Sequence, residues 1–198
     1  MKAIVNVGIY TFLPAVVLSS VMASALWHDI RSRRIPNLLI LSGTVAAMLL
    51  HTLMPAGADL YRLPVGGNGI AFSAGGFALG LLLLMPFYAL RTMGAGDVKL
   101  MAMVGAFLGP AGVTGAALLS MLCGGVLAMI VALWSGQLTQ VIVNLQQMLH
   151  GLATRHSGAV QVGSPAAVSG KLAYAIAIAG GTAAQLMLAG APAWRIFS

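Results

Sequence analysis

Residues 93–100 read Met-Gly-Ala-Gly-Asp-Val-Lys-Leu, and they lead directly into an apolar run that stops at Gly109-Pro110. This stretch carries Asp97, one of only three acidic residues in the 198-residue chain, the others being Asp29 and Asp59. Placing an ionisable side chain near the middle of a bilayer costs roughly 2.5–3.5 kcal/mol, so such residues usually have a function. We therefore expect Asp97 to take part in chemistry, with Asp29 as its candidate partner.

The residues around Asp97 are expected to shape the same site. Gly94 and Gly96 have no Cβ, so their backbone can adopt positive φ and can approach an extended peptide closely. Lys99 follows two residues after Asp97, and we expect it to bind substrate or shape the site. The plainer interpretations are that Asp97 is a helix N-cap and that Lys99 anchors the chain among lipid headgroups.

The apolar run after Asp97 is short for a membrane span. Twelve residues from Asp97 to Leu108 extend about 18 Å as a helix, against a hydrocarbon core of about 30 Å. Either Gly109-Pro110 is recessed from the far face of the membrane, or Asp97 lies below the near face. Non-helical backbone at membrane depth requires a protein-lined, water-filled surrounding.

The composition predicts an integral membrane protein. Hydrophobic residues make up 60% of the chain and charged residues 7%, and the mean hydropathy is +0.97, whereas soluble domains carry about 25% charged residues. The net charge of +7 comes from basic residues scattered at the ends of apolar segments. That distribution indicates contact with membrane lipid and no nucleic-acid partner. One cysteine excludes an intrachain disulfide, and neither the cysteine nor the histidines have the spacing of a metal site.

The predicted fold is all-α, a single transmembrane domain over residues 1–198. An amphipathic pattern also predicts one interfacial helix on the cytoplasmic membrane surface at residues 137–152. Gly76 and Gly80 form a small-xxx-small face suited to close helix packing. About six spans are expected, at residues 7–27, 38–54, 69–90, 98–109, 113–134 and 172–189.

The basic residues set the expected orientation. In the six-span arrangement seven of the ten Lys and Arg residues fall on one side, which the positive-inside rule makes cytoplasmic. Asp29 and Asp97 lie on that side and Asp59 on the other. The first span has a rival interpretation as a secretory signal cleaved near Ala23-Ser24-Ala25. Its length and the arginines that follow it favour an uncleaved span.

Two carboxylates brought together provide a definite chemistry. They cannot both ionise easily, so they share a proton. The ionised member can take a proton from a water molecule while the protonated member donates to a substrate carbonyl, with no metal and no cofactor. The plainer interpretation of Asp29 is a surface charge paired with Arg31 or Arg33. The residues alone leave both interpretations open.

Three segments of the chain resemble the prepilin peptidases. Residues 27–37, with Asp29 followed shortly by Ile35-Pro36-Asn37, resemble the first motif of that family, and residues 94–100 resemble its Gly-x-Gly-Asp motif. Residues 171–180 are similar to the last span of its short members, except that Ala173 stands where a proline is usual before the tyrosine. The resemblance implies a polytopic aspartic endopeptidase in which Asp29 and Asp97 are the catalytic pair.

The resemblance also implies a substrate and a location. The substrate would be a type IV pilin or pseudopilin precursor, cut after a glycine at the cytoplasmic face of the bacterial inner membrane. Larger family members carry a cysteine-containing domain between their first two spans and also methylate the new N-terminus. This chain has only Cys123 and no room for that domain. We therefore expect peptidase activity without methylation, as in the short enzymes of tight-adherence (Flp) pilus systems.

Two other classes share some of these features. The presenilin and signal-peptide-peptidase group also has a Gly-x-Gly-Asp motif, but its members have more spans and usually a Tyr before the first Asp. A small transporter, or a structural subunit of a pilus or secretion assembly, would use Asp29 and Asp97 as a proton relay or a contact. Transporters often contain repeats and broken helices in both halves, whereas this sequence shows one break.

Overall fold

The structure is a computed structural model that describes residues 2–53, 69–90, 93–134 and 174–190, with Gly136 and Val143 as isolated residues. Side chains are described from Leu13 to Leu188 within those ranges. All the regular structure in this part of the chain is helical, as predicted. The predicted interfacial helix at residues 137–152 lies outside the described residues except for Val143. The helices are α1 Lys2–Ser32, α2 Asn37–Leu53, α3 Gly69–Ala89, α4 Ala95–Trp134 and α5 Tyr174–Gly190.

Three described segments are long and apolar enough to cross a membrane, namely Leu13–Ser32, Gly69–Ala89 and Ala95–Trp134. Helices α2 and α5 are apolar but shorter. The six-span count therefore stays a prediction. The predicted first span ended at residue 27, whereas α1 continues to Ser32, so that Asp29 lies inside the helix. No Gly or Pro interrupts residues 28–32, and Arg31 in the last turn favourably complements the negative end of the helix dipole.

Helix α4 is broken at Gly109, where the sequence predicted a break. Gly109 has φ 70° and ψ −178°, a region of backbone space that is essentially restricted to glycine. Pro110 restarts the helix with a φ suited to a first turn. A Cβ built on Gly105 would lie 3.1 Å from Val113 Cγ2, although eight residues of straight helix would separate them by about 12 Å. The chain therefore folds back on itself at Gly109.

The first half of α4 is the core of the protein. Val98 and every residue from Leu100 to Gly109 are buried, whereas Lys99 is exposed. A helix that is apolar on all sides is normally surrounded by other elements, and a run of 10–14 apolar residues is more typical of a core helix than of a span. The shortness of this run follows from its position among the other helices.

Helix α3 packs against this core helix through its glycines, as predicted. A Cβ on Gly76 would collide with the carbonyl oxygen of Gly105, and one on Gly80 would lie 2.6 Å from the Met101 carbonyl oxygen. The two backbones are therefore in direct contact, which is the purpose of a small-xxx-small face. Helix α5 packs in a similar way against the second half of α4, where Gly181 lies against Ser120.

Side chains from two neighbouring helices hydrogen-bond the carbonyl oxygens that the break in α4 leaves without backbone partners. Pro110 has no N–H, so it cannot bond the Ala106 carbonyl oxygen, and the turn at Gly109 interrupts the bond expected for the Phe107 carbonyl oxygen. Ser73 Oγ donates to the Ala106 oxygen at 2.9 Å, and His51 Nε2 bonds the Phe107 oxygen at 3.0 Å. The buried break is thus stabilised by α3 and α2.

Candidate active site

Asp29 lies on the buried face of α1. The inward residues Leu18, Met22 and Ala25 recur at helical spacing, and Asp29 follows four residues after Ala25 on the same face. The Asp29 side chain is partly buried. Its Oδ2 is fully buried and has no hydrogen-bond partner among the described residues. Such an atom is costly unless a water, a proton or a substrate satisfies it.

Asp97 is the third residue of α4, and its carboxylate reaches back over the start of the helix. Gly94 N–H donates to Asp97 Oδ2 at 3.3 Å, while the Gly94 carbonyl oxygen accepts from the N–H groups of Asp97 and Val98. Gly94 is therefore the N-cap, and Asp97 occupies the position that an acidic residue takes in a capping box. The interpretation of Asp97 as the N-cap is therefore wrong, because the N-cap lies three residues earlier, at Gly94.

The two aspartates meet at one end of the helix bundle, which we call the aspartate end. Asp97 experiences the charge of Asp29 directly, although 68 residues separate them in the sequence. Two carboxylates within electrostatic range of each other resist simultaneous ionisation. The structure therefore brings the two predicted residues within electrostatic range of each other, which the sequence alone could not show, and their role as a catalytic pair stays a prediction.

The other predicted site residues also lie at the aspartate end. Lys99 Nζ donates to Asn37 Oδ1 at 3.1 Å, so Lys99 contacts the segment that follows Asp29. A Cβ on Gly96 would lie 3.7 Å from Ile35 Cδ1, and one on Gly94 would lie 3.3 Å from Asp97 Oδ2. Neither glycine has positive φ. The freedom of glycine to adopt positive φ is therefore not used at these positions, because the helix and its cap fix ordinary dihedral angles there.

Tyr174 is a further residue of this site that the sequence did not identify. It begins α5, its side chain is partly buried, and it experiences the charge of Asp97. Its hydroxyl oxygen also lies 3.0 Å from the position of a Cβ on Gly124. In a straight helix, Asp97 and Gly124 would be about 40 Å apart. Tyr174 therefore marks the place where the returning half of α4 comes back to the aspartate end.

A scan against protein-family models matches residues 16–129 to the type IV leader peptidase family. The chain belongs to the type IV leader peptidase family. The match covers more than half of the 198 residues and includes Asp29, the turn before α2 and Asp97, whereas α5 lies beyond it. Searches of the curated proteins and of the solved structures found no match.

Membership makes this type IV leader peptidase a hydrolase of peptide bonds, with a pilin precursor as the general substrate. Its apolar helices are those of a membrane protein. The resemblance stated from the motifs is thereby confirmed. No observation on the described residues favours the transporter, the structural subunit or the presenilin-like alternative.

Proposed function

We propose that this leader peptidase is an aspartic endopeptidase with Asp29 and Asp97 as its catalytic pair. The observation that carries the proposal is the meeting of the two carboxylates at the aspartate end, where Asp97 experiences the charge of Asp29. Both residues also lie within the segment that matches the family. Capping accounts for an acidic residue at Asp97, but helix stability does not account for Asp29, which lies near the C-terminal end of α1, where the helix dipole disfavours an anion.

The chemistry follows from one proton shared by two acids. The ionised carboxylate removes a proton from a water molecule, and the oxygen of that water attacks the scissile carbonyl carbon. The protonated carboxyl group donates to the carbonyl oxygen as the tetrahedral intermediate forms. When the C–N bond breaks, the proton taken from water passes to the leaving amine, and a hydroxyl proton of the tetrahedral intermediate returns to the other carboxylate as the carbonyl re-forms. The Gly94 N–H at Asp97 Oδ2 holds one carboxylate in a fixed orientation during these steps.

We place the cut after a glycine of the precursor, at the cytoplasmic face of the bacterial inner membrane. Arg31 and Arg34 are exposed close to Asp29, and Lys99 is exposed close to Asp97. A concentration of basic residues at the aspartate end favours the cytoplasmic side. The basic leader of the precursor would leave the membrane on the same side, just before its apolar helix begins.

Gly94, Gly96 and Lys99 shape the site in this proposal. Gly94 and Lys99 are exposed and Gly96 is partly exposed, so the start of α4 presents a narrow, uncrowded backbone to an extended leader peptide. No methyl-transfer step belongs to the proposed function, because Cys123 is the one cysteine among these 198 residues and no cysteine pair lies between α1 and α2. Purified protein incubated with S-adenosylmethionine and cleaved pilin should leave the pilin N-terminus unmethylated.

The deciding experiment is a cleavage assay in membranes. The protein is co-expressed with a pilin-like precursor that carries a basic leader, a glycine before its apolar helix and a tag that reveals the size shift. Asp29→Asn and Asp97→Asn are compared with the wild type at matched expression, with Asp59→Asn as the control for loss of an acid. We expect the first two variants to lose processing and the control to retain it. Processing by either Asn variant would remove that residue from catalysis.

A further inference from the structure

The two aspartates lie on helices that scarcely touch one another. Helix α1 has few contacts with α4. Its other contacts are mainly with α2 and α5, and both of those helices contact α4. The position of Asp29 relative to Asp97 is therefore set through intermediate elements, and the segment that joins α1 to α2 is the one that contacts α4 beside Asp97. That segment turns sharply, because Arg33 has φ 52° and closes the end of α1, and Pro36 precedes the start of α2.

This joining segment is attached to α4 next to Asp97. Lys99 Nζ donates to Asn37 Oδ1 at 3.1 Å, across 62 residues of sequence. Ile35, partly buried against the core, lies beside Gly96. On α4 the contacts come from Gly96, one residue before Asp97, and Lys99, two residues after it. On the joining segment they come from Ile35 and Asn37, six and eight residues after Asp29.

Helix stability does not explain the position of Lys99. Its ammonium group lies at the first residue of α2, and Lys99 itself is the fifth residue of α4. Both are the positive ends of helix dipoles, where anions are favoured and cations are not. A lysine anchored among headgroups would extend into the membrane surface rather than onto an amide of a neighbouring helix. What the position of Lys99 does allow is its hydrogen bond to Asn37, which joins α4 to the start of α2.

We propose that the Lys99–Asn37 hydrogen bond, which we call the latch, sets the position of Asp29 relative to Asp97. Lys99 and Asn37 are positioning residues and act on the reaction only through the aspartates. The activity readout of this inference rests on the proposed function. The latch also predicts a distance between two positions, which can be measured without any cleavage.

The first experiment measures kcat and KM for precursor cleavage in Lys99→Met, Asn37→Leu and the double variant. Arg34→Met is the matched control, since it removes an exposed positive charge three residues from Asn37. A misplacement of about 1 Å can cost on the order of 100-fold in rate. We expect kcat to fall roughly 10- to 100-fold in both single variants, with KM unchanged. The double variant should lose no more than the worse single variant, because both remove the same bond.

Rescue separates positioning from a general structural role. Asn37→Asp keeps an oxygen acceptor for the ammonium group and should retain kcat within about threefold of the wild type. Lys99→Met should not lower the melting temperature in detergent, because it removes a cation from two positive helix ends. A wild-type kcat in Lys99→Met, or multiplicative losses in the double variant, would overturn the latch and leave the peptidase assignment intact.

The second experiment tests the latch independently of catalysis. Asp29→Cys and Asp97→Cys are combined on a Cys123→Ala background, and the two thiols are crosslinked in membranes by a short bis-maleimide. Adding Lys99→Met should slow crosslinking at least threefold, whereas adding Arg34→Met should leave the rate unchanged. Equal rates with and without Lys99 would refute the latch even if the aspartates prove not to be catalytic. A selective slowing would support the latch even if the aspartates prove not to be catalytic.

Discussion

Tyr174 and Asp97 lie within electrostatic range of each other at the aspartate end, although each belongs to the first turn of a different helix. The proximity depends on the break at Gly109, which returns the second half of α4, and α5 packed against it, to the level of Asp97. A hydroxyl group in this position can orient the carboxylate and support its charge. The start of α5 therefore lies at the candidate site, whose other residues belong to α1, α2 and α4.

Replacing Tyr174 by Phe removes that hydroxyl and little else. A single hydrogen-bonding group contributes about 1 kcal/mol, so we expect kcat to fall roughly fivefold with no change in KM. The measurement is precursor cleavage at saturating and at limiting substrate. Tyr88→Phe is the control, because Tyr88 is an exposed tyrosine near the end of α3. Equal losses in the two variants would mean that Tyr174 has no particular connection with Asp97.

Local patterns of the sequence predicted most of the fold. The apolar runs located α2, α3 and α5 to within one or two residues at most ends, and Gly109-Pro110 located the break in α4. These features succeed because they depend on neighbouring residues alone: length, hydropathy, and the dihedral angles that glycine and proline permit. The extension of α1 to Ser32 was missed because hydropathy falls at Trp27-His28-Asp29, while helical hydrogen bonding continues.

The parts of the site that the sequence missed depend on tertiary structure. Nothing near Tyr174 in the sequence indicates that α5 approaches Asp97, since the approach depends on a reversal 65 residues earlier. In the same way, Ser73 and His51 look like isolated polar residues in apolar helices. Their function is visible only when the carbonyl oxygens of Ala106 and Phe107 are seen beside them.

Those two carbonyl oxygens lead to a prediction on stability. His51→Leu would leave the Phe107 oxygen without its partner in a partly buried position, which costs about 1–3 kcal/mol. We expect a lower melting temperature in detergent, and His51→Gln should recover part of the loss because its amide can still donate. Thr52→Val is the control, since Thr52 is exposed and its hydroxyl donates to the carbonyl oxygens of Met48 and Leu49 in its own helix. A normal melting temperature for His51→Leu would show that water replaces the histidine.

The break itself predicts a stronger effect at Gly109. An alanine there would hold φ near 70°, and its Cβ would collide with the ring of Phe72. The backbone strain alone costs about 1–3 kcal/mol. We expect Gly109→Ala to lower the yield of folded protein and its melting temperature, with only partial recovery on adding Phe72→Ala, which relieves the collision and not the strain. Gly125→Ala is the matched control in the same helix, since a Cβ there would meet nothing within 4 Å.

The two glycines beside Asp97 are expected to differ, although both belong to the same motif. A Cβ on Gly94 would lie 3.3 Å from Asp97 Oδ2, whereas one on Gly96 would make an ordinary 3.7 Å contact with Ile35. Alanine is also a much poorer N-cap than glycine, and Gly94 is the N-cap of α4. Gly94→Ala should therefore displace the carboxylate and lower kcat about tenfold or more. Gly96→Ala should lower kcat less than threefold in the same assay, at matched expression and melting temperature. If Gly96→Ala is the more damaging of the two, the motif requires space for the substrate at Gly96, and the orientation of Asp97 by its cap is not the limiting factor.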